Sequence, residues 1–232
     1  MTTLRGPVLG IESSGARSAV ALARGEELIR ESAREGTNHN EVLLELVDEV
    51  LAATGTGLDE LAGIGVTVGP GMFTSLRVGI AIALGLALPR DIPLKAVGTL
   101  PALAETCRPT RRVLALLDAR RGQVYCGLYD SGRALVEPCV IAPDRVGELL
   151  REAGGAGLPV APAGSGVELC REALAGADAI DTGVRFPCAF AVAVLARAGI
   201  EREGADRPED LYPRYLRRTD AEVNRERRED NA

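Results

Sequence analysis

The chain has 232 residues and a formal net charge of −6, with hydrophobic residues at 46% and charged residues at 26%. These values are typical of a soluble globular protein with one or two small domains. The acidic net charge argues against a broad nucleic-acid-binding surface, which is normally basic. Only 3% of the residues are aromatic and none is Trp. We therefore expect a core of small aliphatic side chains that lets backbone segments approach closely.

The cysteines and the histidine limit the possible chemistry. Five cysteines occur and none forms a CxxC pair, so we expect reduced thiols in a cytoplasmic protein. The only histidine is His39, which excludes an HExxH zinc pair within the chain. At a predicted helix start, His39 is more typical of a capping or surface residue than of a catalytic base. We therefore expect no bound metal and disfavour a peptidase.

The first half of the chain predicts three strands, a helix, a strand, a helix and a strand. Asn38 and Glu41 have the spacing of a capping box at the first helix. That helix is amphipathic, with apolar residues at helical spacing opposite a row of carboxylates. The predicted ranges, in chain order, are 8–11, 18–23, 28–35, 39–54, 63–68, 73–88 and 94–97.

The second half repeats this order, with strands at 113–117, 124–129 and 134–141, and a helix at 144–152 that Asp144 caps. A strand at 158–163 and helices at 167–175 and 190–198 follow. Two β-β-β-α-β-α halves are the repeat of the actin, sugar-kinase and Hsp70 fold. The pattern therefore predicts an actin-like (ASKHA) α/β fold with two lobes.

We predict the lobes at 1–107 and 108–198, followed by a C-terminal segment at 199–232. The charged end of that segment, 225–232, has the composition of a disordered tail. Tyr212 and Tyr215, which precede it, are predicted to anchor the chain against its own body or a partner.

Two turns are predicted to face each other across a cleft between the lobes, at 12–15 and 118–122. In nucleotide-binding proteins such turns cradle phosphate with backbone N–H groups while an acid holds a metal or water. A working loop has Gly two residues after the acid, where this chain has Arg120, so a hairpin without nucleotide is the favoured interpretation. Binding of ATP or ADP stays open as the alternative, because Arg120 and Arg121 attract anions. The candidate residues are Glu12, Ser13, Ser14, Asp118, Arg120 and Gly164.

The helix at 73–88 follows a Gly-Pro-Gly bend and has no polar residue from Val78 to Leu88. A helix that is apolar all round is buried in the core or in an interface; this apolar stretch is too short to span a bilayer. Gly79, Ala83 and Gly85 permit close helix–helix approach, as in a multi-helix seam. Burial within the monomer and burial by a partner both remain open. The candidate interface residues are Val42, Leu43, Leu46, Val50, Phe73, Arg77, Ile80, Ala83 and Leu84.

Several of these segments resemble the TsaB family, bacterial proteins of tRNA threonylcarbamoyladenosine biosynthesis. The residues at 11–14 and 18–22 are similar to the first two strands of the family. Gly-Pro-Gly-Met-Phe-Thr-Ser-Leu-Arg-Val-Gly at 69–79 resembles its signature Gly-Pro-Gly-Ser-Phe-Thr-Gly-Leu-Arg-Ile-Gly. The Asp-Ala-Arg motif at 118–125 and the closing Pro-x-Tyr-Leu-Arg at 213–217 follow in the family order.

The resemblance implies a non-catalytic subunit whose 39–54 and 73–88 helices bind TsaD, the catalytic paralogue. TsaD carries the metal-binding histidines and transfers the threonylcarbamoyl group to adenosine 37 of tRNA, and the ATPase TsaE joins the complex. The resemblance also implies a homodimer through the same surface when the chain is alone, and only indirect contact with tRNA.

Departures from the family motifs bear on cofactors. Glu12 replaces the usual Asp, Met72 a Ser and Ser75 a Gly, and each change disfavours nucleotide chemistry by the chain alone. We therefore expect no autonomous cofactor, with ADP or ATP at most at a complex interface. The alternative is an ATPase or kinase of the same fold that acts on its own.

Overall fold

The structure is a computed structural model that describes residues 3–36, 39–107, 112–154 and 159–216, apart from the side chains of 39–41. Its first sheet has the strand order β3-β2-β1-β4-β5. Strands β1, β2 and β3 are antiparallel, whereas β1, β4 and β5 are parallel. The strands are β1 Val8–Glu12, β2 Arg17–Arg24, β3 Glu27–Glu35, β4 Gly63–Gly69 and β5 Leu94–Gly98.

The second sheet has the order β8-β7-β6-β9, with antiparallel pairs except for the parallel β6–β9 pair. Its strands are β6 Arg112–Asp118, β7 Val124–Asp130, β8 Arg133–Ile141 and β9 Val160–Ala163. The helices of the described residues are α1 His39–Thr54, α2 Phe73–Ala87, α3 Thr99–Thr106, α4 Val146–Glu152, α5 Arg171–Leu174 and α6 Ala189–Glu203. The two sheets and their helices confirm the predicted actin-like α/β architecture.

A further extended segment completes the second sheet beside β9. Residues 178–184 run parallel to β9 and exchange backbone hydrogen bonds with it, such as Ile180 N–H to Val160 O at 3.1 Å and Gly164 N–H to Val184 O at 2.8 Å. This fifth row, which the sequence pattern did not predict, repeats the position of β5 in the first sheet. Its residues alternate too weakly in polarity to predict a strand.

Helices α1 and α2 cover one face of the first sheet, and α6 covers the other. Leu43 and Leu46 of α1 and Ile80 of α2 are buried in the same cluster as Ile11. On the opposite face the approach is closer, because a Cβ at Gly10 would lie 2.1 Å from the Ala189 carbonyl oxygen. The predicted close backbone approach is therefore confirmed for β1 and α6.

Two helices cross the predicted lobe boundary at residue 107. Helix α6 begins in the predicted second lobe but packs on the first sheet, where Val192 and Ala196 belong to the same buried cluster as Val97. Helix α3 is absent from the sequence prediction, lies before the boundary, and packs Leu100 and Leu103 against the second sheet. The boundary thus separates the sheets but not the helices that cover them.

Other local predictions have mixed outcomes. The predicted Asp144 cap is wrong, because a 3-10 turn at Pro143–Arg145 precedes α4 and Arg145 is its N-cap without a side-chain hydrogen bond. The predicted 167–175 helix divides into a 3-10 turn at Glu168–Cys170 and α5. The predicted Asn38–Glu41 capping box, the motif residue Arg217 and the tail at 225–232 lie outside the described residues.

The apolar composition of α2 reaches into the following turn. Among the described residues, one stretch, Phe73–Arg90, is long and apolar enough to cross a membrane by length and composition, with a mean hydropathy of 1.3. In this fold its inner face packs on the sheet through Ile80 and Ala87. Core helices of soluble proteins have the same composition, so this stretch is weak evidence for a membrane span.

Candidate functional site: the docking face and the cleft between the sheets

The outward surface of α2 after Arg77 is apolar and accessible to solvent, and α1 adds one exposed leucine to the exposed apolar residues. Leu44 of α1 is 48% exposed and Leu88, directly after α2, is 54% exposed. Ala81 and Gly85 of α2 are also exposed, and a Cβ at Gly85 would meet nothing within 4 Å. We call Leu44, Ala81, Gly85 and Leu88 the docking face. Monomeric proteins rarely leave contiguous apolar surface of this kind unpaired.

The nine predicted interface residues divide between core and surface. Phe73 and Arg77 are exposed and Val42 and Leu84 are partly buried, so these four remain candidate contacts. The prediction is wrong for the other five as direct contacts, because they are buried in the core of the chain itself: Leu43, Leu46, Val50, Ile80 and Ala83.

Sequence reasoning missed the docking face because α2 is apolar all round, so its pattern does not show which side meets the sheet. One signal was available at Leu44, an apolar residue on the otherwise charged side of α1. Gly79 was predicted to serve a helix–helix seam, and this is wrong, since a Cβ there would lie 2.2 Å from Ser13 Oγ in the chain itself. Gly85, in contrast, leaves room for a second helix.

A cleft of about 360 Å³ lies between the two predicted turns. Of the six predicted nucleotide residues, the structure brings Ser14, Asp118 and Arg120 together at this cleft. Gly164 instead packs against the backbone of β6, because a Cβ there would lie 1.9 Å from Leu116 O. The residues lining the cleft are Ser14, Gly15, Ala16, Gly71, Met72, Leu117, Asp118, Ala119, Arg120, Tyr125, Ser165, Phe186 and Pro187.

Backbone N–H groups in both turns already have partners within the chain. In the first turn, Ser13 N–H donates to Thr67 Oγ1 at 3.2 Å and Ser14 N–H to Glu12 Oε1 at 2.8 Å. In the second turn, Asp118 N–H donates to Ser165 Oγ at 3.1 Å and Arg120 N–H to Asp118 Oδ1 at 2.7 Å. A phosphate cradle needs such donors free. These four donors are therefore engaged within the chain itself.

The second turn holds two arginines in a backbone conformation that favours glycine. Arg120 and Arg121 have φ of 62° and 54°, the left-handed region that costs a non-glycine residue roughly 1–2 kcal/mol. The Arg120 guanidinium lies 3.5 Å from the Asp118 carboxylate. The turn thus pairs Arg120 with Asp118 within the chain.

Glu12 and Ser13 are both fully buried and do not line the cleft. Desolvation by burial raises the pKa of Glu12 from 4.5 to about 7, opposed by hydrogen bonds from Ser14. Glu12 Oε2 has no hydrogen-bond partner among the described residues. Nor do those residues include a group of three His, Cys, Asp or Glu side chains arranged to hold a metal.

Comparison with known proteins places these features in a family. A family model described as TsaD, tRNA N6-adenosine threonylcarbamoyltransferase, matches residues 31–198. The Bacillus subtilis protein TsaB, of tRNA threonylcarbamoyladenosine biosynthesis, is 32% identical over 225 residues, which cover 93% of this chain and 96% of that protein. The chain belongs to the TsaB family. The match to Escherichia coli TsaB, 34% identical over 125 residues, spans about half of each chain.

Solved structures agree with this family. YeaZ from Pseudomonas aeruginosa is 27% identical, has a TM-score of 0.79, and is matched over 91% of this chain and 100% of its own. An activator of 2-hydroxyisocaproyl-CoA dehydratase from Clostridium difficile, with ADPNP bound, has a TM-score of 0.53 at 11% identity. That second likeness shows the fold alone. The TsaB-family chain shares the fold of a nucleotide-binding protein but has its own hydrogen bonds in the two turns.

Proposed function

We propose that this chain is a non-catalytic subunit required for forming tRNA N6-threonylcarbamoyladenosine in the cytoplasm. In this proposal it binds and activates the catalytic TsaD subunit, works with the ATPase TsaE, and contacts tRNA only indirectly. Family membership supports the pathway, since the full-length relative is a protein of this biosynthesis.

One observation carries the binding role. The docking face leaves large and small apolar side chains in water on two adjacent helices, where no charged side chain occurs on α2 after Arg77. Small exposed residues such as Ala81 and Gly85 let a partner helix approach closely, and Leu44 and Leu88 supply apolar area. A helix pair of the partner fits this surface.

The alternative, an ATPase or kinase acting alone, has less support. It requires donors for phosphate in the turns, and the N–H groups of Ser13, Ser14, Asp118 and Arg120 are engaged within the chain. ADP or ATP therefore enters the proposal only at an interface that the partner completes. The chain alone is expected to show neither ATP hydrolysis nor tRNA modification.

The test places a charge at the edge of the docking face without touching the core. We expect Leu88→Arg to weaken binding to purified TsaD at least tenfold in calorimetry, because an arginine in the seam loses apolar contact and must be desolvated. The matched control is Leu169→Arg, at a leucine on the second sheet's side that is 46% exposed against 54% for Leu88. Light scattering of the chain with and without TsaD distinguishes a heterodimer from a homodimer.

We expect the same ranking in reconstituted tRNA modification with TsaD, TsaE and the carbamoyl-adenylate supplier. Wild type and Leu169→Arg should support modification, and Leu88→Arg should support less. Wild-type affinity and activity in a folded Leu88→Arg protein would contradict the docking role. ATP turnover by the chain alone would favour the alternative.

A further inference from the structure

Aromatic residues are scarce in this chain, with three Phe, four Tyr and no Trp. Three of these seven nevertheless lie exposed on two neighbouring segments: Phe73 at 40%, Tyr212 at 61% and Tyr215 at 40%. Large rings are the most favourable groups to bury, and Tyr129 in β7 is buried as expected. Their exposure here therefore needs a reason other than folding.

The rings form a defined structure at the start of α2. Phe73 and Tyr215 stack with centroids 5.0 Å apart and planes 18° apart. The guanidinium carbon of Arg77 lies 3.7 Å from the Phe73 centroid, a cation–π contact. We call Phe73, Arg77, Tyr212, Arg214 and Tyr215 the aromatic corner.

The C-terminal part of the corner is fixed by its backbone. Arg214 N–H donates to Val68 O at 2.6 Å, and Leu211 is buried in the same core as α1 and α2. Gly69 makes this approach possible, because a Cβ there would lie 2.6 Å from Arg214 O. Rings held in this way lose little conformational freedom when a partner binds.

The corner also carries charge that the described residues do not neutralise. Among the residues that the structure describes, Arg77 and Arg214 have no carboxylate at ion-pair distance, whereas Arg17 pairs with Glu31 and Arg197 with Glu201. Tyrosine and arginine are the residues most enriched in the energetic centres of protein interfaces. The corner therefore has the composition of a binding hot spot.

We propose that the aromatic corner is part of the same interface as the docking face and orients the partner through a protein surface that carries carboxylates. This inference rests on the proposed function. Phe73 and Arg77 begin the helix whose later residues form the docking face, so the two surfaces are continuous. Stacked rings and arginines also suit single-stranded RNA. The adjoining apolar face and the net charge of −6 favour a protein.

The test uses the full chain, purified TsaD and two changes at the corner. We expect Tyr215→Ala and Arg214→Glu each to weaken binding at least tenfold, and the Arg214→Glu loss to shrink at high salt because exposed charges are screened. Arg214→Glu keeps the backbone hydrogen bond to Val68, so it decides the matter if Tyr215→Ala proves unstable. The matched controls, Leu135→Ala and Arg133→Glu on the exposed β8 strand, should bind as wild type.

The outcomes separate the two proposals. If wild type binds, Leu88→Arg does not, and both corner variants bind as wild type, the corner proposal is overturned while the docking role stands. If the wild-type chain does not bind TsaD, both the docking role and the corner proposal are overturned. If the corner variants keep their affinity for TsaD but lose affinity for unmodified tRNA in fluorescence anisotropy, the corner is an RNA site and the protein-partner proposal is overturned.

Discussion

The two faces of α2 carry the same kind of side chain in opposite surroundings. Ala83 is fully buried against the first sheet, whereas Ala81, two residues earlier, is exposed. Gly79 touches Ser13, whereas Gly85 faces open space. The comparison shows that apolar composition alone does not assign a residue to the core or to an interface. One face stabilises the fold, and the other is available for a partner.

The largest expected effect comes from one substitution made on both faces. Ala83→Glu buries a carboxylate without a partner, and we expect a loss on the order of 5 kcal/mol in the free energy of unfolding. A loss of this size is comparable to the whole stability of a marginally stable domain. Ala81→Glu should change that free energy by no more than about 0.5 kcal/mol, because its side chain stays in water. Urea denaturation followed by circular dichroism measures both.

Ala81→Glu should nevertheless lose binding to TsaD, because it puts a charge at the centre of the docking face. Equal stability of the two variants would remove the distinction between the faces. A stable Ala81→Glu protein with full affinity would leave the outer face without a partner.

A smaller effect is expected at Glu12, the neighbour of the Ser13 that the inner face of α2 meets at Gly79. The unfolded chain releases this proton near pH 4.5 and the folded chain near 7, so the folded state holds the extra proton between these values. Stability from this group therefore falls as pH rises through that window, by about 3 kcal/mol in total. Glu12→Gln removes the penalty and keeps an oxygen for the Ser14 donors.

Glu12→Gln should raise the free energy of unfolding at pH 8 by up to about 3 kcal/mol, with the difference vanishing near pH 4.5. Urea denaturation at both pH values is the measurement, and the exposed Glu152→Gln is the control. A gain that is the same at both pH values would show that proton binding is not its cause.

The smallest effects concern the two glycines of α2. Gly85→Ala should stabilise the chain by roughly 0.5–1 kcal/mol, because alanine is the better helix former and its Cβ meets nothing. Gly79→Ala gains the same propensity but drives a Cβ to 2.2 Å from Ser13 Oγ, so we expect a net loss of about 1 kcal/mol. Thermal unfolding of both variants tests the order, and a more stable Gly79→Ala protein would contradict it.

Local patterns predicted much of the fold. The amphipathic repeat gave α1 its observed bounds, and runs of small apolar residues between turns predicted β1, β4 and β6 within a residue or two. Helix α3 was missed because Pro101 lies near its start and the helix is short. Residues 178–184 were missed because their pairing with β9 is made by backbone groups, which the side-chain pattern does not report.

The candidate site was less predictable than the fold. Ser14, Asp118 and Arg120 were expected at one cleft and meet there. One donor of each turn is engaged by a distant residue, Thr67 for Ser13 N–H and Ser165 for Asp118 N–H, which the chain order separates from the turns by many residues. The aromatic corner likewise joins Phe73 to Tyr215 over a long stretch of chain. Such pairings follow from the path of the backbone.

The elements, their repeat in two halves and the family motifs could be recognised before folding was considered, because each depends on residues close in the chain or on composition. Three features needed the folded chain: the side of α2 that meets the sheet, the packing of α6 on the first sheet, and the hydrogen bond of Arg214 to Val68. Burial depends on neighbours that are distant in sequence, which a local pattern does not report. When both faces of a helix are equally apolar, its packing against the sheet determines which face is buried.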